Sequence, residues 1–398
     1  PRSSTGVPER HTTHQGGPLR HSNRNWATTR SSPEPSGSSE AENLTIKSCH
    51  PLRLRMVPLK KDPSAGAVTV LPSRESSGMQ LSTVLTPESD QNLRLATQCG
   101  VTDVVTRYPG PAVGDLRRRQ ADFARFDLKL SVIEGYLPLE RIKIGHDDGT
   151  QLAALEQLIR NMGEVGIPVL CYNFMAGTDW VRTRLDAPER GGARVTAFDL
   201  ADAQQAVLLG HDETDLNQRA EGVGISTDEL WAYLEAMLAQ LVPIAEASGV
   251  TLAMHRDDPP LQSFAGRARI MNSVAAFERL VALVPSPSNA ICFCQGTFAE
   301  MGVDIPATIR RLGSHIRYVH FRDVKGNAES FTETFHDNGP TDMAEAMRAY
   351  RDIGFDGPIR PDHVPQLAGD EGEPGYTTPG RLFAWGYLRG LMQATETR

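Results

Sequence analysis

The chain has few cysteines for its length, no long apolar run and no glycine-rich phosphate turn, and each absence removes a class of protein. Five cysteines (Cys49, Cys99, Cys171, Cys292, Cys294) in 398 residues are an odd number in a long chain. That argues against a disulfide framework and leaves a cysteine free to serve as a thiolate ligand in a reduced, cytoplasmic setting. No apolar stretch approaches the ~20 residues of a membrane span, and no positively charged start leads into an apolar signal core. No internal repeat is found. A hydrophobic content of 39% with a net charge of −8 suits a water-soluble globular protein. The charge is uneven: residues 1–78 carry 11 Lys and Arg against 6 Asp and Glu, leaving 30 against 43 for residues 79–398. An acidic body of that kind is a poor match for nucleic acid.

Residues 1–78 are rich in Ser, Pro, Arg and His and lack hydrophobic periodicity, as in Ser31-Ser32-Pro33-Glu34-Pro35. Such a stretch cannot bury enough apolar surface to offset chain entropy. It is expected to be a disordered leader or a translated upstream extension, with Met56 or Met79 opening a shorter product. From Met79 an alternation sets in. Apolar, β-branched runs at Leu81–Leu85, Val101–Tyr108, Leu128–Gly135, Pro168–Phe174, Thr251–His255, Ala290–Cys294, Ile316–Phe321 and Pro358–Asp362 predict eight strands. Between them, helical spacing predicts Glu88–Thr97, Leu152–Met162, Thr227–Ala247, Val274–Leu283, Pro306–Leu312, Met343–Ile353 and Leu382–Met392. Eight buried strands alternating with helices across residues 79–398 predict an α/β protein built as one (β/α)8 TIM barrel. An open doubly wound sheet is disfavoured, because Leu85-Thr86-Pro87-Glu88 stands where its phosphate turn would be. The polar stretch Asp186–Gly224 is expected to be a long loop over the active face.

Barrel chemistry sits at the carboxyl ends of the strands. Those ends read Arg107, Glu134, Asn173, His255, Cys294, His320 and Asp362. Taken singly, His255 is more often a loop cap, Cys294 a small core residue and His320 a satisfied core histidine. Together, two imidazoles, a thiolate and a carboxylate closing strands 5 to 8 in succession are expected to hold one metal ion. A thiolate beside imidazoles disfavours Mg2+ and Ca2+ and admits Fe2+, Mn2+, Co2+ or Zn2+. Next to Asp362 stands His363, which can move protons near neutral pH, and fourteen positions after Asp362 comes Tyr376, whose hydroxyl can give or take one.

Several segments carry a family resemblance. Cys171-Tyr172-Asn173-Phe174-Met175 with Asp179-Trp180-Val181-Arg182-Thr183, and His255-Arg256-Asp257-Asp258-Pro259-Pro260, resemble the mannonate dehydratases. So do Cys294-Gln295-Gly296-Thr297, His320-Phe321-Arg322, His336-Asp337-Asn338-Gly339, Arg360-Pro361-Asp362-His363 and Pro374-Gly375-Tyr376. These run collinearly from Met79 onward and exclude the leader. The resemblance implies a hydro-lyase of hexuronate breakdown that uses Mn2+ or Fe2+ to convert D-mannonate to 2-dehydro-3-deoxy-D-gluconate. It implies the metal ligands His255, Cys294, His320 and Asp362 and the acid/base pair His363 and Tyr376. It also implies Asn173, Arg182, Arg322, His336 and Arg360 around a sugar-acid substrate, the arginines by their fork geometry. No membrane or nucleic-acid partner is implied, and self-association is left open.

The opening strand lacks the family's tryptophans, the insertion after strand 4 is shorter, and Pro340 replaces a usual acid. Loops set substrate choice in barrels. The competing readings are a metal-dependent sugar isomerase or epimerase of the same barrel and a non-catalytic sugar-acid binding protein. Should His363 or Tyr376 not carry the proton transfers, Glu134 and His336 are next in line.

Overall fold

The computed structural model describes residues 78–209 and 223–396; the leader expected at 1–78 lies outside the described residues but for Gly78. Eight parallel strands close into a barrel: β1 (Gln80–Val84), β2 (Asp103–Thr106), β3 (Lys129–Glu134), β4 (Val169–Tyr172), β5 (Thr251–Met254), β6 (Asn289–Cys294), β7 (Ile316–Phe321) and β8 (Pro358–Pro361). Each pairs with its sequence neighbours, and β1 closes the ring against β8 through Gln80 opposite Pro358 and Leu81 opposite Ile359. Among the described residues no helix is long and apolar enough to cross a membrane.

Strand alternation splits the core in two. Inward-facing Val84, Val105, Val132, Val169, Cys171, Ala253, Cys292 and Tyr318 fill the barrel. Outward-facing residues such as Leu130, Ile133, Leu170, Leu252, Ile291, Phe293, Val319 and Ile359 pack under the helices. The helices start where polar side chains can satisfy orphan amides. Ser89 accepts from the Asn92 amide, Asp304 from Ala307 and Asp342 from Glu345. The long helix Thr227–Ser248 opens on a reciprocal box between Ser226 and Glu229 and closes on Gly249 at φ 67°, where a side chain at Cβ would be strained.

Two features depart from expectation. Helix Val113–Ala124 buries only Leu116 and Phe123, so its apolar stripe is too thin to read against Arg117-Arg118-Arg119. The stretch Asp186–Gly224 is not all loop. Strands Arg184–Pro188 and Arg194–Asp199 join the hairpin Val324–Asn327/Ser330–Glu333 in a four-stranded antiparallel sheet, with Phe331 opposite Phe198. Arg194–Asp199 pairs locally with Arg184–Pro188, but its other partner, Ser330–Glu333, lies some 130 residues further along the chain, beyond the reach of local pattern. Val181, Phe198, Leu261, Phe264, Val324 and Phe331 form its own apolar underside. Residues 210–222 of that stretch lie outside the described residues.

Candidate active site

A cavity of about 720 Å³ opens at the carboxyl ends of the strands, lined among others by Arg107, Glu134, Asn173, His255, His320, Arg360, Asp362, His363 and Tyr376. Register brings these groups to one level. Cys294 stands opposite His320 and His320 opposite Arg360, while Glu134 stands opposite Cys171.

Ligand atoms of His255, Cys294 and His320 lie within 4.8 Å of one another. The Nδ1–H of His255 donates to the Arg256 carbonyl at 2.8 Å, which leaves Nε2 as the lone-pair nitrogen. Cys294 is fully buried and its Sγ accepts from the Thr297 hydroxyl at 2.9 Å. Burial alone raises that thiol, yet Arg322 and the two imidazoles hold it well below its usual range. Asp362 Oδ2 lies 3.6 Å from His320 Nδ1 and 4.0 Å from Cys294 Sγ. Burial works against its charge as well, and Arg360, His363, His320 and Arg322 together keep it well below the carboxylate range. An anionic sulfur, an anionic oxygen and two imidazoles in one buried pole fit a divalent transition ion.

His363 adopts a left-handed φ of 39° just past β8, a conformation that a non-glycine residue holds only when its surroundings fix it. Two neighbours do so. Trp180 stacks on its ring at 4.2 Å and 17°, and Glu333 Oε1 lies 2.8 Å from Nδ1. A Nδ1–H donated to that carboxylate leaves Nε2 free, 3.8 Å from Asp362 Oδ2. The Tyr376 hydroxyl lies 3.4 Å from Asp362 Oδ1, and burial with the Asp362 charge pushes its pKa far up, so the phenol carries its proton at neutral pH.

Not every expected residue faces the cavity. Arg182 and Arg322 are 0% and 1% exposed, and neither lines it. Arg182 is gripped by Asp258 at 2.6 Å and Glu333 at 2.6 Å, Arg322 by Glu333 at 2.9 Å and Asp258 at 3.1 Å. Buried guanidinium groups must be matched by carboxylates, and these two serve as a frame behind His363 and Asp362. His336 is also enclosed outside the lining, with neither ring nitrogen bonded and its pKa lowered to about 4 by burial. Arg360 does line the cavity but is committed to Asp362 at 2.5 Å, Glu134 at 2.9 Å and the Tyr318 hydroxyl at 2.7 Å. Asn173 faces the cavity and accepts from Lys143 Nζ at 2.9 Å.

Arg107 is the cation the expected substrate set left out. It lines the cavity, and among the described residues its hydrogen bonding is a 3.5 Å contact to the Glu134 carbonyl, with the rings of Tyr136 and Tyr376 against its guanidinium. Its place at the end of β2 was the available signal. Glu333, by contrast, sits in a hairpin with no strand-end signature, and only the need of Arg182 and Arg322 for counter-charge points to it.

Similarity to known proteins agrees with this geometry. Residues 87–398 match the family model described as D-mannonate dehydratase (UxuA). Mannonate dehydratase 2 of Halalkalibacterium halodurans is 32% identical over 323 residues, covering 75% of this chain and 93% of that protein. The mannonate dehydratase of Oceanobacillus iheyensis is 34% identical over 287 residues, 68% of this chain and 82% of that one. The crystal structure of mannonate dehydratase from Streptococcus suis superposes with a TM-score of 0.73 at 30% identity, covering 80% of this chain and 95% of the other. L-ribulose 3-epimerase, at a TM-score of 0.51 and 15% identity, shares the fold alone. The chain belongs to the D-mannonate dehydratase family.

Proposed function

We propose that this chain dehydrates D-mannonate to 2-dehydro-3-deoxy-D-gluconate in cytoplasmic hexuronate breakdown. The observation that supports it most is the gathering of His255, Cys294 and His320 within 4.8 Å in a pole whose cavity also presents His363 and Tyr376. His255, Cys294, His320 and Asp362 would hold the ion, Mn2+ or Fe2+ as the family resemblance implies, both of which the mixed N, S and O donors admit. When bound, such an ion stabilises negative charge that develops on the substrate carboxylate as C2 loses its proton.

The remaining work falls to side chains. His363 Nε2, freed by the Nδ1 contact to Glu333, takes the C2 proton as the C2–C3 double bond forms. Tyr376 gives its phenolic proton to the departing C3 hydroxyl, which leaves as water. The enol at C2 then ketonises to the 2-keto acid, taking a proton at C3, so the sum is loss of one water. Arg107 is the cavity cation free to meet an anionic group of the substrate, replacing Arg182 and Arg322 in that role. A protonated tyrosine poised beside the base favours water loss over the isomerase reading, in which no hydroxyl departs.

The test is release of a 2-keto acid from a panel of hexonates by enzyme stripped with a chelator and then reloaded. Turnover of mannonate restored by Mn2+ or Fe2+, and poorly by Mg2+, is expected. Full rescue by Mg2+, or epimerised product without keto acid, would overturn the reading.

A further inference from the structure

Directly beneath the candidate metal pole lies a second set of soft donors that the reaction does not use. Cys171 on β4 and Cys292 on β6 both point into the barrel, one inward step below Asn173 and Cys294. Their Sγ atoms and a ring nitrogen of His320 all lie within 4.8 Å of one another, and all three residues are 0–1% exposed. His320 Nε2 faces Glu134 Oε2 at 3.4 Å without completing a hydrogen bond. A buried nitrogen so loosely paired is one that a ligand would satisfy.

A disulfide does not explain the pair. The two cysteines sit on strands separated by β5, where Ala253 stands opposite Cys171. Ala290, not Cys292, stands opposite Ala253 on the other side, so two strand spacings and a two-residue offset put the cysteine Cα atoms about 9.5 Å or more apart, beyond the ~7 Å that a disulfide spans. A tetrahedral ion with sulfur ligands near ~2.3 Å and nitrogen near ~2.0 Å sets its donors roughly 3.5–3.8 Å apart. The three donor atoms, all within 4.8 Å of one another, can reach that spacing by a small adjustment.

We propose that Cys171, Cys292 and His320 form a second, soft-metal site for a zinc-class ion beneath the upper set. Two sulfurs select Zn2+ or Cd2+ over Mn2+ and Mg2+. His320 is shared between the two sets, with Nδ1 on the Asp362 side and the ring also within reach of the two thiols. The lower site does not depend on the reading of His320 as a ligand of the working ion.

The experiment counts thiolates. The full chain, stripped of divalent ions, is titrated with Cd2+ alone, and the sulfur-to-cadmium charge-transfer absorption is read for the parent, for Cys294→Ser and for Cys171→Ala/Cys292→Ala. The expected result is that Cys294→Ser keeps more than half of the absorption and the double variant keeps less than half. Loss of all absorption in Cys294→Ser would confine the metal to the upper pole and overturn the lower site. Should the double variant fail to fold, alkylation of the parent under partial denaturation decides: Cd2+ must slow labelling of both Cys171 and Cys292, and unchanged labelling overturns the proposal. Failure of mannonate turnover with these thiolate counts intact would sink the proposed reaction and leave the lower site standing.

Discussion

The two halves of the barrel wall differ in kind. Strands β5 to β8 end in His255, Cys294, His320 and Asp362, electron-rich donors locked in by Thr297, Arg322 and Arg360. Strands β2 to β4 end in Arg107, Glu134 and Asn173, with Lys143 behind, a wall that is cationic and hydrogen-bonding. On the proposed function, one half would stabilise charge as it forms and the other would grip a charged, hydroxylated molecule. The division teaches that rate and affinity should separate along the sequence. Substitutions after residue 250 should strike kcat and those before residue 180 should strike KM.

The largest effect tests the donor half. Cys294→Ser removes the soft ligand, and a bound divalent ion contributes several kcal/mol to charge stabilisation. Turnover should fall about 10⁴-fold, and metal content by elemental analysis should fall with it. A variant that keeps its ion and rate would break the comparison at its root. Next come His363→Asn and Tyr376→Phe, each expected to cost about 10²–10⁴ in kcat with metal content retained. Only His363→Asn should also lose exchange of the substrate C2 hydrogen with solvent. Exchange lost in Tyr376→Phe alone would reverse the assignment of base and acid.

Glu333 links the donor half to the antiparallel sheet. Burial opposes its charge, but Arg322, His363 and Arg182 hold it down from 4.5 to about 2. Because the folded pKa lies below the unfolded one, its stabilisation is present above pH 4.5 and is lost as pH falls toward 2. Glu333→Gln should flatten the fall of Tm across that window, and should lower kcat by about 10–100-fold, as loss of an orienting partner does. An unchanged acid limb would mean that the Arg182 and Arg322 pairs do not depend on this carboxylate. In the gripping half, Arg107→Ala should raise KM by about tenfold, the worth of one charged hydrogen bond, and spare kcat. A kcat loss with KM intact would erase the boundary between the halves.

All eight strands were legible because each is a short, largely apolar and β-branched run bounded by polar or turn residues. The four metal candidates could be nominated for the same reason, since a strand end fixes both level and direction, and three of them, His255, Cys294 and His320, do converge. What local pattern could not carry is pairing at a distance. The run Arg194–Asp199 looks polar because its partner Ser330–Glu333 and its apolar support Val324 and Leu261 come from elsewhere in the chain. Arg182 and Arg322 read as substrate ligands for a related reason. A guanidinium looks the same in sequence whether it faces a cavity or, as here, the four buried carboxyl groups of Asp258, Glu300, Glu333 and Asp362.

The smallest effect asks whether the two halves unfold as one. Helix Thr227–Ser248 leads from the gripping half into β5, and its start depends on the reciprocal bonds of Ser226 and Glu229. Ser226→Ala deletes the cap and should cost about 1 kcal/mol. In a barrel of this size that lowers Tm by roughly 2 °C. Neither residue touches the cavity, so kcat and KM should stay at parent values. Because the ladder is continuous from β4 through β5 to β6, calorimetry should show one transition moved as a whole. Two transitions, with only the later one moved, would mean that the functional division is also a division in stability, and that the donor half holds together on its own.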